Sequence, residues 1–336
     1  MNALPICRVS HSGQASLGKQ YGLTLVELMI SMALGLLIVM ATTTLFVSTK
    51  TTYLMQDDDA RIQETGRYAI DVITRSIRSV SFEDESSSEV PISAAMTNAS
   101  ISGLDAAGLK SRTQGIEGPY TKAVNGSDVL AVRFSGAGSG DNGDGTMLNC
   151  AGFGVPALSA SESADENRGW SIFYVAEDAS GEPELYCKYR GNDSWTSQAI
   201  ARGVESFQVL YGLDMDDDGL PDQFLNATAL DALESAGPSQ GTNLHGQAAE
   251  QRGKTYWKKV AAVKFSLLIR GVNRTQGERS MTQYDLFGKE YSNAYAGADA
   301  GVRLQESSLP KSVRGRQRRI FSSMVLLPTT LAKNRT

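Results

Sequence analysis

Residues 23 to 47, LTLVELMISMALGLLIVMATTTLFV, run for 25 residues with a single charge, Glu27. At about 1.5 Å of rise per residue, a helix over this run is long enough to cross a hydrocarbon layer of about 30 Å. Residues 1–22 carry Arg8, His11 and Lys19 and no acidic residue, whereas Lys50 and then Asp57, Asp58 and Asp59 follow the run. Basic residues before a span and acidic ones after it place the N-terminus in the cytoplasm and the rest of the chain outside.

Two cleavage sites compete. A secretory signal peptide loses its apolar core, and Val39-Met40-Ala41 offers a passable small-x-small site for that. A cut after Gly22, where the polar leader meets the apolar run, keeps the whole span on the mature chain. Glu27 argues for the second, because a carboxylate in an apolar span costs about 2–3 kcal/mol and calls for a partner. After that cut, the new amino group of Leu23 lies one helical turn from Glu27.

The segment Gly22-Leu23-Thr24-Leu25-Val26-Glu27-Leu28 resembles the class III leader of type IV pilins and type II secretion pseudopilins. The resemblance implies that a prepilin peptidase cuts after Gly22 and N-methylates Leu23. It also implies that Glu27 neutralises the N-terminal amine of a neighbouring subunit during assembly. Leu23 departs from the Phe of major pilins. No proline occurs between Pro5 and Pro91, so the helix lacks the bend that proline gives many major pilins, and Gly35 is its one weak point.

Past Val47 the pattern turns amphipathic. Ile62, Gly66, Ala69, Ile70, Ile73, Ile77 and Val80 recur at three- and four-residue steps among charged residues, one face of a helix packed on a domain. Residues 23–80 thus read as one helix, transmembrane over 23–47, after a removed leader, 1–22. Asp57–Asp59 reads as a solvated acidic cluster. Residues 81–127, rich in Ser, Gly, Ala and Asn, read as a connecting loop with at most short elements, and 128–336 as a β-rich periplasmic or extracellular head.

Strands are expected at 128–134, 171–177, 184–190, 204–211, 260–270 and 320–327, where Phe207, Val209 and Tyr211, and Ala261, Val263, Phe265, Leu267 and Ile269, alternate. The fold class is therefore α+β: a long N-terminal helix packed on an antiparallel sheet, with long loops at 226–255 and 271–318 as surface excursions or partner-binding loops. Cys7 falls in the leader, leaving Cys150 and Cys187 as an even pair in an oxidising compartment. A disulfide between them is expected to contribute about 4 kcal/mol in the chain-entropy model.

Over the head, RFSGAGSGDNGDGTMLNCAGFGV, YGLDMDDDGLPDQF and RRIFSSMVLLP resemble the PilW-type minor pilins of type IV pilus assembly. That resemblance implies a protein that joins other minor pilins to prime assembly and sits near the pilus tip with an adhesin. Implied partners are minor and major pilins, the inner-membrane assembly platform, the prepilin peptidase and the tip adhesin. The implied location is the bacterial inner membrane, single-pass with the C-terminus in the periplasm, and then the pilus.

Asp214, Asp216, Asp218, Gly219 and Asp222 form D-x-D-x-D-G-x-x-D, the start of an EF-hand-like loop whose alternate oxygens converge on calcium, although Leu225 stands where the bidentate Glu is expected. A solvated acidic turn is the favoured reading of this loop, and calcium, the only cofactor the sequence suggests, is the alternative. Asp141–Gly145 reads as a Gly/Asp turn. Gly253-Lys254-Thr255 ends like a phosphate-binding loop but has Ala248 in place of the first Gly. The run Lys311, Arg314, Arg316, Arg318 and Arg319 reads as a solvated loop.

A formal charge of −5 and a pI near 5.3 disfavour nucleic acid as a partner. With only His11 and His245 as histidines, no base, nucleophile and orienting group can be nominated together, so an enzyme is not expected. The alternatives to a minor pilin are a minor pseudopilin of type II secretion and a membrane-anchored or exported calcium-dependent binding module.

Overall fold

The structure is a computed structural model that describes residues 22–81, 99–120, 123–157, 169–191, 194–236, 255–276 and 282–327. Residues 1–21 of the leader with Cys7, His245 and the Gly253-Lys254 pair lie outside the described residues. The chain divides into two compact units, 1–53 and 54–336.

Helix α1, Leu25–Arg78, is unbroken over 54 residues. In the first unit, every residue from Gly22 to Lys50 is exposed. The hydroxyls in this apolar stretch are satisfied within the helix: Thr42, Thr43 and Thr44 donate to Ile38, Val39 and Met40 carbonyls at 2.9, 2.7 and 2.8 Å. Back-bonding of this kind leaves no hydroxyl seeking a partner, which is what a lipid environment demands.

In the second unit the last turns of α1 bury Ile62, Ala69, Val72, Ile73 and Ile77. The remaining elements are β1 (Ile101–Leu104), β2 (Val129–Phe134), β3 (Gly169–Glu177), β4 (Pro183–Arg190), β5 (Trp195–Arg202), β6 (Val204–Leu213), β7 (Gln223–Leu225), α2 (Ala227–Ala236), the single turn α3 (Thr255–Lys258), β8 (Val260–Arg274), β9 (Gln283–Asp285), α4 (Lys289–Tyr295), β10 (Arg303–Gln305) and β11 (Arg316–Leu326). All six expected strands form, within a few residues of their expected ends.

The head carries two main sheets where the sequence suggested one. A five-stranded antiparallel meander runs β1-β2-β3-β4-β5, a four-stranded sheet runs β11-β8-β6-β7, and β9 and β10 make a separate pair. The two sheets meet at Gly203, the one residue between β5 and β6. Its φ of +73° suits glycine, and a Cβ there would stand 2.7 Å from the Arg270 carbonyl. The helix face, Leu130, Val132, Phe173 and Val175 of the meander, and Phe207, Val209, Val263, Phe265 and Leu267 of the second sheet share one core. Gly66 lets the helix approach: a Cβ there would lie 2.5 Å from the Phe321 ring. That contact offsets the cost of about 1 kcal/mol for glycine inside a helix.

Three loop expectations are corrected. Residues 81–127 already contain β1, which pairs with β2, so the first sheet begins at Ile101. The following stretch buries Ala107 and Leu109 against Val129, Ala131, Ile172 and Tyr174, closing the outer face of the meander. The 226–255 segment opens with α2, whose N-terminal amides of Ala227 and Thr228 are capped by Asp105 at 2.9 and 2.7 Å. Residues 271–318 hold β9, α4 and β10 and bury Leu286, Val302 and Leu304, while the Leu286 carbonyl accepts the Ser322 hydroxyl of β11. Burial on both faces explains why β2 and β6 are buried at every position.

Candidate assembly site and the head loops

Thr24 and Glu27 start α1 with a reciprocal pair of hydrogen bonds. The Glu27 amide donates to Thr24 Oγ1 at 3.2 Å, and Glu27 Oε2 accepts from the Thr24 amide and hydroxyl, both at 3.0 Å. This is a capping box, which satisfies amide donors that the first helical turn leaves free. Sequence reasoning assigned Glu27 to assembly and missed this local role, although the T-x-x-E spacing announces it. Gly22 and Leu23 precede the helix, and Leu23 is 76% exposed. A Cβ on Gly22 would meet nothing within 4 Å, so the folded chain itself places no demand for glycine there. From Leu25 onward the exposed side chains are large and apolar, including Leu25, Val26, Met29 and Ile30.

Cys150 and Cys187 are joined in a disulfide with 5.9 Å between their Cα atoms, tying the Gly-rich stretch after β2 to β4. In that stretch Asp144 Oδ1 accepts the Thr146 amide at 2.8 Å, an Asx turn of the expected Gly/Asp kind.

Asp214, Asp216 and Asp218 present carboxylate oxygens within 4.8 Å of one another at the end of β6, Asp214 buried and the other two exposed. The loop also uses these groups on itself. Asp214 Oδ2 accepts the Gly219 amide at 2.8 Å, and Asp222 Oδ2 accepts the Met215 amide at 2.7 Å. The Asp216 carboxyl sits above its usual range: the Asp218 amide pulls it down, but desolvation and the neighbouring Asp218, Asp222 and Asp214 carboxylates outweigh that pull.

Each charged run has one member in the interior, Asp58 and Arg318, against the expectation of solvation, whereas Lys311 and Arg319 stay exposed. Asp58 is fully buried and accepts the Val272 and Asn273 amides at 3.2 and 3.0 Å and the Asn273 side-chain amide at 2.9 Å. Asp59 pairs with Arg319 at 2.6 Å. Arg318 is buried between Glu205, at 2.5 Å, and Glu306, at 3.2 Å. Glu205 also takes Arg270 at 2.9 Å, and Glu182 bridges Arg270 and Arg316. Three carboxylates thus meet three guanidiniums. The clue in the sequence was strand alternation: Arg316 and Arg318 share a parity, which a loop reading discards.

The family described as Type IV Pilus-assembly protein W matches residues 172–329, which run from β3 to just past β11. The prokaryotic N-terminal methylation motif matches residues 17–43, spanning the Gly22-Leu23 junction and the exposed first half of α1. No curated protein matches the chain. Among solved structures, a type IV-like pilin from Thermus thermophilus is 12% identical over 80% of this chain and 97% of its own, and superposes loosely with a TM-score of 0.34. With its methylation motif at the start of an exposed apolar helix and a head matched by the pilus-assembly family, the chain is a type IV pilin-like protein with a prepilin leader motif that resembles the PilW-type pilus-assembly proteins.

Proposed function

We propose that this protein is a minor pilin of type IV pilus assembly. It is held in the inner membrane by residues 23–47, with the head in the periplasm, until the pilus machine extracts it. Prepilin peptidase removes residues 1–22 by cutting between Gly22 and Leu23, and Leu23 is N-methylated. Glu27 then pairs with the Leu23 amine of a neighbouring subunit inside the helix bundle. The protein works with other minor pilins, near the tip and its adhesin, and its role is structural rather than catalytic.

The observation that carries this reading is the junction itself: an exposed apolar helix begins two residues after the Gly22-Leu23 bond, inside a methylation motif. Mass spectrometry of the membrane-extracted protein tests it. A methylated Leu23 is expected. A terminus at Thr42 would overturn the reading, because the anchor and Glu27 would be gone. Glu27→Ala separates pilus from type II secretion, with loss of pili expected and loss of exoprotein export pointing to a pseudopilin.

The Asp214, Asp216, Asp218 and Asp222 loop, in the same reading, takes calcium as a structural ion, which would relieve the crowding of its carboxylates. Calcium is expected to raise the melting temperature of the wild-type protein and not of Asp216→Ala. Equal melting curves with calcium and with chelator would sink this part alone.

A further inference from the structure

Among the described residues, three of the four edges of the two main sheets are blunted and one is open. β1 and β7 are only four and three residues long. β5 is longer, but WTSQAIAR is polar, its pairing with β4 shifts register between Leu185 and Tyr186, and it ends on the exposed Arg202. Short strands, irregular pairing and charge are the usual protections of a sheet edge.

β11 has none of them over its second half. IFSSMVL, Ile320–Leu326, contains no charge, glycine or proline, and its register with β8 is regular from Arg318 to Leu326. Ile320, Met324 and Leu326 stand 38, 54 and 48% exposed. Among the described residues, no backbone group from Arg319 to Leu326 bonds to any segment but β8. A free row of amides and carbonyls beside an apolar row is complementary to one thing, another extended chain.

We infer that the free edge of β11 receives a strand from a different pilus subunit. That strand is extended over the length of Ile320–Leu326, uncharged there, and apolar at alternate positions so that it covers Ile320, Met324 and Leu326. A second copy of this chain paired antiparallel does not fit. Asp59 of α1 pairs with Gln317 and Arg319, and further along the helix Gly66 faces Phe321, so helix and strand run the same way. Two β11 edges paired antiparallel would point the head parts of their helices, from Leu54 onward, in opposite directions, whereas the heads of subunits packed in one filament share a direction. In this respect the inference rests on the minor-pilin reading.

Hydrogen exchange read by mass spectrometry tests it on the full-length protein in detergent, alone and co-purified with the other minor pilins of its own host. Peptides covering 319–326 are expected to exchange at least tenfold more slowly in the complex. Met324→Lys, at an exposed position, is expected to weaken complex formation at least tenfold with an unchanged melting temperature. A complex that forms without added protection at 319–326 would overturn the inference and leave the pilin reading standing. Protection in the isolated protein, accompanied by a dimer in sedimentation, would also overturn it in favour of self-pairing. Failure of the wild-type protein to join any pilin complex would overturn the pilin reading and the inference together.

Discussion

The carboxylate of Asp58 occupies the space that a side chain on Gly271 would need, since a Cβ built there would stand 2.6 Å from Asp58 Oδ2. The helix is thereby fastened to the end of β8 by one buried acid that accepts three N–H donors from Val272 and Asn273. Removing the acceptor deletes three hydrogen bonds to a buried carboxylate from donors that are themselves only part-buried, at about 1 kcal/mol each. Asp58→Ala is expected to lower unfolding stability by about 3 kcal/mol, and Gly271→Ala to do comparable damage by steric exclusion. Urea unfolding of the detergent-solubilised protein checks both. A loss under 0.5 kcal/mol in either would mean that this contact is dispensable.

Arg318 illustrates a different energy balance, because its partners are charged. With Glu205 and Glu306 both buried beside it, removing the guanidinium strands at least one carboxylate. Breaking such a pair costs about 3–5 kcal/mol, although building it earns little. Arg318→Met is therefore expected to be severely destabilising. Adding Glu205→Gln should recover part of the loss, giving a coupling of about 1–3 kcal/mol in a double-mutant cycle. Strictly additive effects would show that the two side chains act independently.

Lys188 makes stability depend on pH in the alkaline range. Its side chain is buried, donates to the Lys110 carbonyl and the Thr113 hydroxyl at 3.0 Å each, and lies 5.5 Å from the centre of the Trp195 ring. Burial pushes its pKa down from 10.5 to about 8, with Glu117 pulling it back up. Between those two values the unfolded chain holds more protons than the folded one, so stability gains with rising pH, by at most about 1.4 kcal/mol per unit. The stability of the wild type relative to Lys188→Met should improve between about pH 8 and 10.5 and be flat below. A difference that is flat throughout would mean that Lys188 keeps its ordinary affinity for protons.

The elements that sequence reasoning reached are those with strong periodicity. Val263, Phe265 and Leu267 alternate over a long strand, and Ile62 to Ile77 mark a helical face, so β8 and α1 declared themselves. β1 and β9 are four and three residues long and carry no such signal; they exist because neighbouring strands hold them. The charged runs misled for a related reason. Asp58 and Arg318 look soluble in isolation, and only long-range partners, Asn273 and Glu205, convert them into interior groups. At the N-terminus the legible features were chemical: Gly22, Leu23 and Glu27 stand out because an apolar span rarely tolerates a carboxylate. The Thr24 partner, which gives Glu27 a second role, lay in plain view as a capping box.

That second role makes the usual alanine substitution ambiguous, because Glu27→Ala removes both the charge and the cap. Two other substitutions divide them. Glu27→Gln keeps an acceptor for the Thr24 amide, as glutamine serves at this position of a capping box, but carries no charge. Thr24→Ala removes the hydroxyl that receives the Glu27 amide and leaves the carboxylate, at about 1 kcal/mol of helix stability. If Glu27 acts in assembly by pairing with an amine, Glu27→Gln should reduce incorporation into pili at least tenfold while helicity by circular dichroism stays unchanged. Thr24→Ala should assemble nearly normally despite a frayed first turn. The reverse pattern, with Glu27→Gln assembling and Thr24→Ala failing, would assign Glu27 to local capping and remove it from the assembly mechanism.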